Sequence, residues 1–197
     1  MNIGELLSQS GVAVAPGALA SDVSVISPTG VFLDSREVGV DGVFVALPGL
    51  NTNGVVFADE AYSRGAALVV SEEDPPPGIS GPWIRVTHAR NTLAALAANF
   101  HDNPSRSLLV VGVTGTNGKT TTTYLLESIF QQAGLETGRM SSVSNRVAAE
   151  NQRNLQSTRP QKHRLCSFGC RRCASALQKA CVMEVSHMPF ITASRLC

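Results

Sequence analysis

The sequence predicts an α/β chain built of two units, and three observations carry that expectation. Over the first hundred residues, short apolar runs bounded by glycine and proline alternate with stretches of helical spacing. A continuous apolar run at 107–113 then enters a glycine-rich turn followed by a second helical pattern. Between these regions, His101-Asp102-Asn103-Pro104-Ser105 has the composition of a linker. The expected division is 1–103 and 104–197. A chain of 197 residues with 43% hydrophobic side chains has room for one large domain or two small ones.

In the first unit, Val31-Phe32-Leu33 and Val43-Phe44-Val45-Ala46-Leu47 read as short buried strands. Phe57 to Arg64 has helical spacing, with Phe57, Ala58 and Ala61 on one side, and Gly65 ends it. Ala67-Leu68-Val69-Val70 is a further strand. Asp74-Pro75-Pro76-Pro77-Gly78 is a loop, because proline fixes φ and removes a donor. Trp83-Ile84-Arg85-Val86 reads as a strand, and Asn91 to Phe100 as a helix with Leu93, Leu96, Ala97 and Phe100 on one face. In the second unit, Ser107 to Val113 is an apolar strand of the parallel-sheet type. The helix after it runs from about Lys119 to Ala133, with Leu125, Leu126, Ile129 and Phe130 as its apolar face and Gly134 as C-cap.

Net charge is +1, so composition gives no overall case for a nucleic-acid or membrane partner. There is no run of about 18 apolar residues and no basic, apolar leader at Met1, so a cytoplasmic location is expected. The average conceals a break. Residues 1–150 carry 8 Lys and Arg against 14 Asp and Glu, whereas 151–197 carry 8 against 1. All five cysteines fall in the second stretch.

The most informative residues are Gly112-Val113-Thr114-Gly115-Thr116-Asn117-Gly118-Lys119-Thr120-Thr121. Glycines let consecutive N–H groups converge on one anion, and a helix N-terminus adds partial positive charge. Lys119 can reach the β- and γ-phosphates of a nucleotide, and the Thr120 hydroxyl can ligate Mg²⁺. The spacing departs from the strict phosphate-loop form, which wants four residues between its glycines. The plainer alternative is a tight strand-to-helix turn with a surface lysine.

Gly-Thr-Asn-Gly-Lys-Thr-Thr after a Val-Gly-Val-Thr strand resembles the ATP loop of Mur ligases and of their folylpolyglutamate synthetase relatives. Leu33-Asp34-Ser35-Arg36-Glu37-Val38, then Gly42 to Gly49, then Gly54, Phe57, Ala61 and Gly65-Ala66, resembles the uridine-nucleotide domain of Mur ligases, which folylpolyglutamate synthetases lack. The Thr-Asn-Gly loop is similar to the branch that adds the third residue of the peptidoglycan stem peptide. The resemblance covers roughly residues 20 to 150.

That resemblance implies a small uridine-nucleotide domain followed by the start of a parallel-sheet ATP domain. It also implies a reaction in which ATP phosphorylates the carboxylate of UDP-N-acetylmuramoyl-dipeptide and the amine of lysine or meso-diaminopimelate attacks the acyl phosphate. ATP and Mg²⁺ are the implied cofactors. Gly115, Thr116, Asn117, Gly118, Lys119, Thr120 and Thr121 would hold ATP, with Lys119 the catalytic counter-charge and Thr120 a metal ligand. Leu33, Ser35, Asn51 and Thr52 match positions that hold the UDP-substrate. The alternative for Asp34-Ser35-Arg36 is a strand-end turn capped by a short polar side chain. Val182-Met183-Glu184-Val185-Ser186 resembles a later Met-Glu-Val-Ser segment of the family, which makes Glu184 a metal ligand and Ser186 a substrate contact. Thr158 stands where the family has a substrate-contacting Thr-Thr-Pro-Glu segment.

After Thr158 the family pattern is lost, and the genetic code supplies a reason. One codon choice for Thr158 to Ser167 is ACA CGA CCC CAG AAG CAC CGA CTT TGC AGT, which read from its third letter gives Thr-Thr-Pro-Glu-Ala-Pro-Thr-Leu-Gln. His187-Met188-Pro189-Phe190 can likewise encode His-Ala-Leu in that frame, matching the family's Ser-Ser-His-Ala-Leu. The expectation is a shifted frame over about 157–180 and after 186. Cys166-x₃-Cys170-x₂-Cys173 has the spacing of an iron–sulfur motif, and a zinc site is also chemically open. Frame-shifted codons produce such clusters by accident, and only 24 residues follow Cys173. The basic run Lys162 to Arg172 has Phe168 alone as a stacking aromatic, so it too reads as an artefact.

Judged against the family, the rest of the ATP domain, a lysine that becomes carbamylated and the amino-acid-binding domain are missing. The chain as written is therefore expected not to complete the ligation. Three rivals remain: a UDP-sugar-binding module without catalysis, another P-loop NTPase, or a non-functional translation product.

Overall fold

The computed structural model describes residues 1–13, 21–49, 52–147, 150–153 and 179–185. The chain divides into two compact units, Met1–Phe100 and His101–Cys197.

The first unit holds a four-stranded parallel sheet of order β1-β2-β3-β4, formed by Val31–Phe32, Gly42–Ala46, Ala66–Ser71 and Trp83–Arg85. Side chains alternate across its two faces, as the pleat requires. Val43, Val45, Leu68, Val70 and Ile84 pack with helices α1 (Ile3–Gln9), α2 (Ser21–Val25) and α4 (Ala89–Phe100). Phe44, Ala46 and Val69 pack with α3 (Ala58–Ser63) and the 3-10 turn Gly54–Phe57 before it. All five residues of β2 are buried, which is why this strand reads as an unbroken apolar run rather than an alternating one.

Three details differ from the sequence pattern. Phe57 lies in the 3-10 turn and is 43% exposed, so Ala58 and Ala61 alone form the buried side of α3. The chain's first helix also has an N-terminal signal that apolar periodicity does not reveal. The Asn2 side chain accepts from the Glu5 N–H at 2.7 Å and the Glu5 carboxylate accepts from the Asn2 N–H at 3.0 Å, a reciprocal capping box. Helix α4 starts two residues earlier than its spacing suggests, because Glu72, just after β3, accepts from the Ala89 N–H at 2.8 Å.

The second unit holds a five-stranded sheet of order β5-β9-β6-β7-β8. Strands β5 (Leu109–Val113), β9 (Ala180–Glu184) and β6 (Thr137–Met140) are parallel. β7 (Ser144–Val147) and β8 (Glu150–Arg153) extend them antiparallel. Helix α5 spans Lys119–Gln132 and packs on β5, β9 and β6. It ends where Gly134, at φ 77°, allows the Leu135 N–H to return to the Phe130 carbonyl at 2.9 Å. Its inward face is only in part the one expected, with Leu126 and Phe130 half-buried. Leu125 and Ile129 are 59% and 58% exposed, while Thr123 and Glu127 are buried. The cause lies on β6, where Arg139 is buried and takes Glu127 as its partner at 2.6 Å. A buried guanidinium without a carboxylate would cost more than the exposure of two aliphatic side chains.

A tight approach in the first unit is directly testable. A Cβ on Gly54 would lie 2.7 Å from the Leu47 nitrogen and 2.8 Å from its oxygen, both backbone atoms that cannot swing away. One on Gly39 meets nothing within 4 Å. Gly54→Ala is expected to destabilise by about 1–3 kcal/mol, and Gly39→Ala to stay within about 0.5 kcal/mol. Urea unfolding followed by far-UV circular dichroism measures both.

Candidate functional site

Register assembles the site of the second unit. β9 lies between β5 and β6, with Val113 opposite Glu184 on one side and Met140 opposite Met183 on the other. The carboxyl ends of all three parallel strands therefore finish at one level. The turn 114–118 leaves β5 there, the Ser141–Ser142 turn leaves β6 there, and Glu184 is the last residue of β9.

The turn after β5 has the form of an anion cradle. Gly115 has φ 146° and Gly118 φ 76°, conformations that L side chains rarely adopt. Gly118 is also the N-cap residue of α5, so the helix starts at Lys119 with its positive end towards the turn. Among the described residues, the N–H groups of Gly115 to Gly118 meet no backbone acceptor. The Lys119 ammonium folds back onto the loop, donating to the Gly115 and Thr116 carbonyls at 2.8 and 3.3 Å.

Three donors converge on one oxygen of Glu184. The Thr120 hydroxyl, the Ser142 N–H and the Ser142 hydroxyl all reach Oε2, at 3.0, 2.9 and 3.0 Å. Burial pushes this carboxyl's pKa up, but those hydrogen bonds and the Lys119 charge outweigh it and hold the pKa below the ordinary value. An ionised carboxylate beside a hydroxyl, next to a loop of exposed N–H groups, is a donor set that suits a hard divalent cation bound with phosphate oxygens. Ser142 is the residue that sequence reasoning missed. Its partner lies 42 positions away, and only strand order brings the two together.

The first unit offers a second edge of the same kind. The chain leaves β1 at Leu33 and β2 at Leu47, both at the carboxyl end of a parallel sheet, the usual ligand edge of such sheets. Leu33 is partly buried against the core. Ser35 is 5% exposed and its hydroxyl donates to Glu60 at 2.6 Å. Asp34 caps the short turn Ser35–Glu37 by accepting from the Arg36 N–H at 3.1 Å, so the capping alternative describes Asp34. Thr52 is exposed and sits close to Gly49. Asn51, Thr158, Ser186, the Cys166–Cys173 motif and nearly all of the stretches with a suspected frame change lie outside the described residues. Among the described residues no group of three His, Cys, Asp or Glu could hold a metal, and no helix is long and apolar enough to cross a membrane.

Two family matches divide the chain much as the fold does. The catalytic domain of the Mur ligase family matches residues 27–101, and the Mur ligase middle domain matches residues 113–196. The chain belongs to the Mur ligase family. It is 40% identical over 148 residues to the UDP-N-acetylmuramoyl-L-alanyl-D-glutamate--2,6-diaminopimelate ligase of Solibacter usitatus, covering 75% of this chain and 29% of that protein. To the ligase of the same description from Chlorobium phaeobacteroides it is 38% identical over 190 residues, covering 94% and 36%. This Mur ligase chain thus spans about a third of the length of these relatives. A solved structure of a ligase with that description shares the fold, with a TM-score of 0.72 at 20% identity over 94% of this chain and 36% of the other.

In this Mur ligase chain the Lys119 ammonium, among the described residues, hydrogen-bonds only to its own loop, so its loss should spare the fold. Lys119→Ala is expected to weaken ATP binding about tenfold or more, the loss of a charge-assisted contact to phosphate. The thermal midpoint of the unliganded protein should move little. Isothermal titration calorimetry and a thermal melt measure the two effects.

Proposed function

We propose that this chain is the substrate- and ATP-binding portion of a ligase that joins 2,6-diaminopimelate to UDP-N-acetylmuramoyl-L-alanyl-D-glutamate in peptidoglycan synthesis. The observation that carries the reading is the convergence of Thr120, Ser142 and Glu184 beside the Gly115–Lys119 loop. The choice of diaminopimelate follows the descriptions of the relatives.

The chemistry asks the protein mainly for position and charge neutralisation. A carboxylate oxygen of the muramoyl dipeptide attacks the γ-phosphorus of ATP, and ADP leaves. The amine nitrogen then attacks the acyl carbon, phosphate leaves and a proton passes to solvent. The Gly115 to Gly118 N–H groups and the start of α5 would hold the phosphates. Lys119 would turn from its loop carbonyls to the transferring phosphoryl group, taking up the charge that develops there. Thr120 and Glu184 would hold Mg²⁺, which supplies further neutralisation of the phosphate oxygens. Leu33, Ser35, Asn51 and Thr52 would serve the UDP end, with Ser35 acting through the turn it anchors to Glu60. Thr158 and Ser186 would contact the peptide side.

Calorimetry on the 197-residue protein tests this reading. Binding of UDP-N-acetylmuramoyl-dipeptide and of Mg²⁺–ATP, without amide formation, is the expected result. Binding of UDP-sugar without ATP would leave a carrier module in its place. ATP hydrolysis indifferent to the muramoyl substrate would point instead to a separate NTPase. The gene itself provides an independent check. Resequencing from about codon 138 past the stop is expected to restore Thr-Thr-Pro-Glu and Ser-Ser-His-Ala-Leu in one frame with a ligase domain downstream. An unchanged sequence with nothing ligase-like after it would refute the frame change.

A further inference from the structure

Arg139 is the largest fully buried side chain among the described residues. It sits on β6 directly opposite Arg146 of β7, a like-charge pair that would destabilise the hairpin if left alone. Glu127 of α5 lies between them. Its carboxylate accepts from Arg139 Nε at 2.6 Å and from Arg146 Nη1 at 3.4 Å. The Tyr124 ring closes the site from the same helix, its centroid 3.6 Å from the Arg139 guanidinium carbon.

The rest of the guanidinium is spent on the turn that follows its own strand. Arg139 Nη1 donates to the Ser144 carbonyl at 2.9 Å and the Ser141 hydroxyl at 3.1 Å, and both terminal nitrogens reach the Ser144 hydroxyl at 3.3 Å. The turn is also laced internally: the Ser141 hydroxyl donates to the Ser144 carbonyl at 2.8 Å, and the Ser144 N–H donates to Ser141 Oγ at 3.2 Å. The residue carried at the tip is Ser142, whose N–H and hydroxyl hold Glu184. Packing alone does not call for this arrangement. An apolar pair of similar volume is often as stable as a buried ion pair. What an apolar pair cannot do is grip a carbonyl and two hydroxyls of one turn with a planar, five-donor fork.

We propose that Arg139, braced by Glu127, is a positioning residue: it fixes the Ser141–Ser144 turn so that Ser142 presents the Glu184 carboxylate to the cation. This rests on the reading of Glu184 as a cation ligand given above.

The test uses the full 197-residue protein, with Mn²⁺ as the probe and its free concentration read by electron paramagnetic resonance at saturating ATP. Two variants separate position from folding. Glu127→Leu with Arg139→Met removes both charges at similar volume, and Arg139→Lys keeps a charge opposite Glu127 but loses the fork. Both are expected to unfold cooperatively and to bind ATP in EDTA within about twofold of the parent. Mn²⁺ affinity should fall about tenfold, as for loss of an outer partner of a metal ligand. Exchange of the Ser142 amide should accelerate by a similar factor. Folded variants with parental Mn²⁺ affinity and parental Ser142 exchange would overturn the proposal, as would failure of both variants to fold, which would make Arg139 a stability residue. Glu184→Gln distinguishes the two levels. If it leaves Mn²⁺ affinity unchanged, the cation reading of Glu184 fails and takes the proposal's function with it, even where Ser142 exchange shows that the brace is real.

Discussion

The arrangement of the second unit depends on the parallel pairing of one five-residue strand. β9 is inserted between β5 and β6 and hydrogen-bonded to both, with Ala180 to Met183 buried. Glu184 follows Thr120 by 64 positions, and no local preference of the chain brings them together. The pairing does so because Val113 faces Glu184. A slip of one residue would invert every side chain of β9, turning its buried residues to the opposite faces and moving Glu184 off the donors of Thr120 and Ser142. The apolar residues that hold the register are thus what aims the carboxylate.

Sequence and structure agree where interactions are local. The glycine turn between β5 and α5 was legible because its glycines, its lysine and the helix after it are contiguous, and the positive φ values at Gly115 and Gly118 are what those glycines imply. The four strands of the first unit were legible because each is a short apolar run between breakers. Glu184 was legible only through resemblance, since a lone acidic residue in a basic stretch carries no signal of its own. Ser142 was not legible at all, because its role comes from strand order. The face of α5 was legible only in part, for a related reason. Leu125 and Ile129 make a plausible apolar stripe by spacing, but a charged residue on β6 outside the helix decides which side turns inward.

In the first unit the turn after β1 is anchored by a buried hydroxyl. Ser35 stands at the carboxyl end of a parallel sheet, where ligands of such folds usually bind, yet its hydroxyl is committed to Glu60 on α3. That bond ties the turn after β1 to a helix on one face of the sheet. The exposed groups of this edge, Thr52 among them, then stand on a scaffold fixed from below. Preorganisation of this kind lowers the ordering cost that a ligand must otherwise meet on binding.

The second unit applies the same logic with charge. Where its sheet meets α5 it holds a buried arginine, Arg139, a buried glutamate, Glu127, and a partly buried second arginine, Arg146, in positions where aliphatic side chains would pack. Desolvation makes such a group expensive, so its geometry must be nearly complete to be tolerated. Arg139 meets that demand, with all three guanidinium nitrogens hydrogen-bonded, and this makes its grip directional, whereas Arg146 Nε is buried without a partner among the described residues. Hydrophobic contacts fix how close two elements come, but they leave a four-residue turn free to rock. A guanidinium held on one side by Glu127 and bonded on the other to Ser141 and Ser144 removes that freedom. The fold therefore positions the Glu184 carboxylate twice, through the backbone register of β9 and through a polar brace behind the turn that touches it.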